Sequence, residues 1–192
     1  MKAKDFRKKA WSTLKGNWGV AILTVLLQAI IIGASEVIPV VALLVTGPLT
    51  LGLVIVFTNL VRGEKATVSQ LFKGFGNFGK SIILDLLNTI FVMLWSLLLV
   101  VPGLIKYYSY SMSFYILRDN PEMTQAQARK ASIQMMKGNK WKLFCLHFSF
   151  IGWILLSALT FGILLLWVLP AMLTAEAAFY ENLKATNAPA AE

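Results

Sequence analysis

The chain has 192 residues, of which 57% are hydrophobic and 14% charged, with a formal net charge of +9 and a mean hydropathy of +0.69. A soluble domain carries about 25% charged residues because its surface has to be polar, so this composition excludes an ordinary soluble globule and indicates an integral membrane protein. The single cysteine, Cys145, cannot form an internal disulfide and sits in an apolar run, where cysteine behaves as a small hydrophobe.

The chain begins MKAKDFRKKA and reaches its first apolar run near Val20. That order resembles a secretory leader, but the run continues past Gly33 into another without a small-residue cleavage site, so an uncleaved first span is expected. Between Gly19 and Val61 the only charge is Glu36, between Ser81 and Leu117 only Asp85 and Lys106 are charged, and between Leu143 and Tyr180 only Glu176. Each block is about 40 residues long, twice the roughly 20 that a helix needs to cross the hydrocarbon core, so each reads as a helical hairpin. Turns are expected at Gly33-Ala34-Ser35-Glu36 with Pro39 after it, at Val101-Pro102-Gly103, and at Thr160-Phe161-Gly162, while Pro48 either starts or kinks the second helix. Backbone in lipid must be hydrogen-bonded internally, which puts these turns at the membrane surface.

Charge placement supports the same layout. Every Lys and Arg except Lys106 lies before, between or after the three blocks, and the turns within the blocks carry none. By the positive-inside rule both termini are cytoplasmic.

Three segments then look alike: Lys15-Gly16-Asn17-Trp18, the Lys73-Gly74 to Asn77 stretch, and Lys137-Gly138-Asn139-Lys140-Trp141, each joining a basic segment to the first helix of a hairpin. Their recurrence about every 60 residues, together with Pro48 and Phe57 spaced as Pro170 and Phe179 are, indicates a threefold repeat. Pseudo-repeats of about 1–62, 63–118 and 119–184 make one membrane domain, with 185–192 as a flexible tail. The middle segment also contains Gly74-x-Gly76-x-x-Gly79, the spacing of a dinucleotide loop. That fingerprint needs a preceding strand and a following soluble helix, and neither context is present. An elbow is the better reading: glycine accepts the left-handed backbone that ends a helix, the aromatic side chain sits at headgroup level, and the lysine meets anionic phosphate.

Before each elbow lies a basic, amphipathic segment. Residues 3–15 place Ala3, Phe6, Ala10 and Leu14 on one side; Val68, Leu71, Phe72 and Phe75 recur at helical spacing; Ala128, Ala131 and Met135 do so in the third. Thr67 with Gln70, and Thr124 with Gln127, have capping-box spacing. Such helices lie in the membrane plane on anionic lipid, although the same residues serve equally as a surface for a membrane protein partner. The expected architecture is therefore all-α: six transmembrane helices in three hairpins, each preceded by a basic interfacial helix.

Several residues carry a further resemblance: Pro102-Gly103-Leu104-Ile105, Tyr107 to Met112, Ser132, Met136 to Lys140, Phe144, and Ser149 to Trp153. They resemble the bacterial integral membrane proteins grouped as domain-of-unknown-function family 975. The similarity runs from about Arg7 to Leu183, and Ser132 to Trp153 is its most specific part; Pro170-Ala171 departs from it, where an aromatic is expected after the proline. The resemblance implies a fold and a bacterial cytoplasmic membrane, and it supplies no activity.

Ionisable groups within a bilayer are functional candidates by default. Asp85, His147 and Glu176 fall at similar depths in their spans, and with Asn59 and Asn88 they could form one polar cluster for a proton, a cation or a polar substrate. The plainer alternative is hydration near the interface and helix-to-helix bonding. One His and one Cys two residues apart cannot supply a metal site, and no nucleophile elbow is present, so neither an enzyme nor a cofactor is expected. Basic residues committed to the membrane face read poorly as a nucleic-acid surface. Two functions follow: an accessory or scaffold protein bound to anionic lipid, or a small transporter using the polar cluster.

Overall fold

In the computed structural model, which describes residues 1–187, the chain forms ten α-helices and one 3-10 helix, with no strand among the described residues. They are α1 (Ala3–Leu14), α2 (Trp18–Ser35), α3 (Pro39–Arg62), the 3-10 helix (Val68–Asn77), α4 (Phe78–Leu98), α5 (Val100–Tyr110), α6 (Ser113–Asp119), α7 (Gln125–Met135), α8 (Lys140–Phe148), α9 (Ile151–Leu159) and α10 (Leu165–Asn187). Among the described residues four stretches are long and apolar enough to cross a membrane: Trp18–Ser35, Pro39–Arg62, Val68–Leu98 and Lys140–Leu159. The fourth expected run is divided at Ser111 and Met112, and the sixth carries Glu176, Glu181 and Lys184 in its second half. α10 continues to Asn187, so residues 185–187 of the expected tail are helical, and 188–192 lie outside the described residues.

The apolar side of α1 is turned into the protein. Phe6, Ala10 and Leu14 are buried, and Phe6 meets Phe179 of α10 edge to face with ring centroids 5.2 Å apart. Arg7 fastens the helix from the other side, its Nη1 donating to the Ser149 carbonyl at 3.0 Å. Sequence spacing requires an apolar partner for such a stripe but does not distinguish lipid from another helix. The third amphipathic segment behaves likewise. Thr124 and Gln127 cap α7 reciprocally, Ala128 and Ser132 are buried, and the Ser132 hydroxyl donates to the Ser109 carbonyl at 2.8 Å.

The middle segment differs in kind. Residues 68–77 form a 3-10 helix rather than the expected α-helix, and side chains three apart then line up in rows. Leu71 and Gly74 make the buried row, while Phe72, Phe75 and Phe78 make a ladder with centroids 6.3 and 6.1 Å apart. The buried row lies against α3, where a Cβ on Gly74 would collide with the Pro48 carbonyl.

α3 and α10 supply much of the core. Pro39 opens α3, Pro48 lies inside it, and Pro170 lies inside α10. On α10, Ala171, Thr174, Ala175 and Ala178 are buried together. Small side chains on one side of a helix let a neighbouring backbone come close, which is how helices associate without a hydrophobic driving force between them. The helix breaks nearest the expected turns fall at Glu36 to Ile38, at Leu99, and at Thr160 to Leu164. The second lies just before the expected Val101-Pro102-Gly103, because Pro102 is accommodated in the first turn of α5, where its missing N–H is harmless.

Candidate functional site

Asp85 and Asn88 are three residues apart on α4, so one side of the helix presents both. That side joins α3, α5, α6 and α10 around a cavity of about 510 Å³, to which α10 contributes Glu176. Thr50, Thr89 and Ser111 add hydroxyls, and Phe57, Tyr107, Tyr110, Phe114 and Tyr115 supply aromatic wall. Among the described residues no Lys, Arg or His lines it. Asn88 donates through Nδ2 to the Ser113 hydroxyl at 2.9 Å, and Ser113 donates on to the Tyr110 carbonyl at 2.6 Å; Asn88 Oδ1 is buried with no donor among the described residues.

His147 stands behind Glu176 rather than on the wall. Its Nε2 is 4.0 Å from Glu176 Oε2 and has no hydrogen-bond partner among the described residues, and its Nδ1 is 3.3 Å from the Tyr108 hydroxyl. The helix carrying it stops one residue later and restarts at Ile151. Arg129 on α7 approaches from another side, its guanidinium over the rings of Phe91 at 4.2 Å and Tyr110 at 4.9 Å.

Asn59 does not join this group. Its Oδ1 accepts from the Arg118 guanidinium and its Nδ2 donates to Gln70 Oε1 at 3.1 Å, so its amide is committed near the end of α3. Beside it lies a network that the sequence reading missed. Asp119, with a side chain 8% exposed, accepts from Arg62 at 2.8 Å, Lys184 at 2.6 Å and Tyr180 at 3.0 Å, while Arg62 also pairs with Glu181 at 2.7 Å. Burial alone would raise the Asp119 carboxyl, but hydrogen bonds from Lys184 and Arg62, with the Arg62 charge and the Tyr180 hydroxyl, hold it below its ordinary value. The sequence carries a signal for it: Arg62, Arg118 and Lys184 stand at the ends of the three pseudo-repeats, and Asp119 and Glu181 are their nearby acids in sequence.

The three glycines expected at elbows differ in their surroundings. Gly16 and Gly138 both adopt left-handed backbone, at φ 90° and 77°, and the next residue repeats the same bond in each: Asn17 Nδ2 to the Thr13 carbonyl and Asn139 Nδ2 to the Met135 carbonyl, both at 3.2 Å. Lys15 and Lys137 are exposed, Lys140 is half-buried, Trp18 packs on Trp11, and Trp141 stacks on Phe144 while remaining 71% exposed. Gly74 differs from both: it is buried in close approach to α3, while Lys73 is exposed and Asn77 precedes α4 without a side-chain cap bond.

Among the described residues no three His, Cys, Asp or Glu side chains come together in a way that could hold a metal ion. No curated protein and no solved structure matches the chain. The family described as protein of unknown function (DUF975) matches residues 1–109 and again 97–187, and the chain belongs to that family.

Proposed function

We propose that the chain is a six-span protein of a bacterial cytoplasmic membrane, with both ends cytoplasmic, and that it binds and carries a small molecule in its helical bundle without catalysing a reaction. The spans are 18–35, 39–62, 78–98, 100–117, 140–159 and 165–183, taken as three hairpins of one repeated plan. The four long apolar stretches support this layout. A cysteine at position 36 is expected to react with an impermeant thiol reagent from outside intact cells; protection there would remove the topology.

The observation that carries the binding role is the convergence of Asp85, Asn88 and Glu176 on one cavity of about 510 Å³. A volume of this size is typical of a small-molecule site, roughly 300–1,000 Å³, and intramembrane acids have a cost that a binding role explains. A second reading, an accessory protein resting on anionic lipid and a membrane partner, is favoured by Trp141, exposed beside Lys137 and Lys140. An indole is at home at headgroup level, and each lysine near such a surface contributes about 1 kcal/mol.

Native mass spectrometry of the protein in its own membrane lipids separates the two. The first reading expects a small molecule retained by the wild type, lost from Asp85→Asn and Glu176→Gln, and kept when Lys8, Lys9, Lys137 and Lys140 are neutralised together. A tightly held lipid or protein partner lost on that neutralisation, with no effect of the acid substitutions, would overturn it in favour of the second.

A further inference from the structure

The chemistry of the cavity narrows what it holds. Its walls carry two carboxyl groups, Asp85 and Glu176, and no basic side chain among the described residues, so an anion would find no opposite charge there. Aromatic side chains from three helices make up much of the remainder, with Phe57 from α3, Tyr107 and Tyr110 from α5, and Phe114 and Tyr115 from α6. Ring faces attract cations as well as apolar groups. A cavity of about 510 Å³ is far larger than a bare metal ion requires, and among the described residues no three His, Cys, Asp or Glu side chains come together to ligate one. An organic molecule with a positive charge and an apolar body satisfies every part of the wall.

A carboxyl in such surroundings is not left as a bare charge, because an unpaired ion in a medium of low dielectric takes a proton or a counter-ion. Titratable groups face Glu176 and its cavity from four neighbouring helices. α8 presents His147 at 4.0 Å, α5 presents Tyr107 and Tyr108, α6 presents Tyr115, and α4 brings Asp85 to the same cavity. α3 offers only Thr50, Leu53, Val54 and Phe57 there. The two permanent cations in the neighbourhood are engaged elsewhere: Arg129 lies over Phe91 and Tyr110, and Lys106 lies over the Trp95 ring at 4.5 Å. Among the described residues Glu176 thus has no permanent cationic partner, and the imidazole facing it has a buried Nε2 with no hydrogen-bond partner.

Resting on the carrier reading, we infer that the occupant of the cavity is an amphiphilic organic cation, and that it binds in exchange for a proton shared between Glu176 and His147. In the empty site the carboxyl is neutralised by that proton. When the cation enters, the carboxylate becomes its counter-ion, the O–H bond of Glu176 is given up, and the proton passes to His147 Nε2 and out to water. No covalent bond to the occupant forms. Asp85 adds a second acidic contact across the cavity, and Tyr108 holds the imidazole from Nδ1.

The test uses the full chain in lipid nanodiscs and tetraphenylphosphonium, a permanent lipophilic cation with no proton of its own to confuse the count. Titration calorimetry in buffers of different ionisation enthalpy gives affinity and proton release together. Competition with one proton is expected to weaken binding about tenfold for each unit of falling pH on the acid side, with close to one proton released per probe bound there, because linkage between two ligands of one site is reciprocal. Glu176→Gln should remove both the pH dependence and the proton release, whereas Asp85→Asn should weaken binding and keep them. Saturable binding by the wild type that is independent of pH and releases no proton would overturn the exchange. An absence of saturable binding would overturn the cationic class, and a neutral or anionic molecule retained in native mass spectrometry would then leave the carrier reading standing without it. Both wild-type results can be read even if a variant fails to fold.

Discussion

Asp119 and Glu176 are both acids among largely apolar helices, yet the protein treats them in opposite ways. Asp119 is met by Arg62, Lys184 and Tyr180 at 2.6 to 3.0 Å, so every charge near it is answered. Glu176 faces an imidazole at 4.0 Å, three tyrosines and a cavity. The difference separates structure from function: a carboxyl with a full set of donors is fixed and stabilising, whereas one held apart from cations retains the capacity to bind something that arrives. The matched acid ties the ends of α3, α6 and α10 together; the unmatched one lies where α10 borders the cavity.

The comparison is broken most severely by Asp119→Ala. The substitution removes the acceptor of Arg62, Lys184 and Tyr180 at once, and leaves Glu181 as the acid still paired with Arg62 where the Arg62 and Arg118 charges repel one another. Removing one partner of a buried pair costs about 3–5 kcal/mol, but Arg62 and Lys184 are 25% and 50% exposed, so about 2–3 kcal/mol is expected after screening. Chemical unfolding in detergent measures it, and a loss below about 0.5 kcal/mol, the usual scatter for surface substitutions, would mean that the network is idle.

Acid sharpens the same contrast with a smaller effect. The folded Asp119 carboxyl is held below its unfolded value, which for aspartate is about 3.9, so its stabilisation is complete above that value and is lost as pH falls through the lower folded one. Unfolding midpoints of the wild type are therefore expected to drop below about pH 4, and Asp119→Asn should show a shallower drop from a lower starting point. Equal slopes in the two proteins would remove Asp119 from the acid response.

Lys184→Ala comes next. Its ammonium bonds Asp119 at 2.6 Å but is half exposed, and Arg62 and Tyr180 remain as donors. A loss of about 0–1 kcal/mol is expected, within the range of exposed pairs. A loss matching that of Asp119→Ala would mean that the lysine, rather than Arg62, anchors the network.

These contrasts were only partly legible in the sequence. Apolar blocks, the turns after Ser35 and Leu159, the capping pair Thr124 and Gln127, and the left-handed glycines 16 and 138 follow from local chemistry, and local chemistry is what a sequence displays directly. The 3-10 helix was hidden because Val68, Leu71, Phe72 and Phe75 fit an α-helical pattern, although the Phe72, Phe75, Phe78 spacing of three also fits the tighter winding. The breaks at Ser111 to Met112 and at Ser149 to Phe150 carry no Gly or Pro, so no local punctuation announces them. Partner choice was the least visible. The sequence offers Asn59 as a member of the acids' polar cluster, and its amide is instead taken by Arg118 and Gln70, contacts that depend on how distant segments pack.

The smallest stability change belongs to Glu176→Gln, which is also the sharpest test of the comparison. The substitution keeps the size of the side chain and removes a charge that no basic residue holds within hydrogen-bond distance. Replacing an unmatched buried ionisable group by a neutral isostere is expected to alter stability by less than about 0.5 kcal/mol or to raise it slightly. The measurement is the same chemical unfolding used for Asp119→Ala, made near neutral pH with the cavity empty. A destabilisation comparable to that of Asp119→Ala would mean that Glu176 is held by the fold after all, through a protonated His147, and its place in the wall would then be explained by structure. A near-zero change, beside a large one at Asp119, would leave Glu176 as a carboxyl that the fold accommodates without drawing stability from it, which is the condition a binding site for an exchangeable cation has to meet.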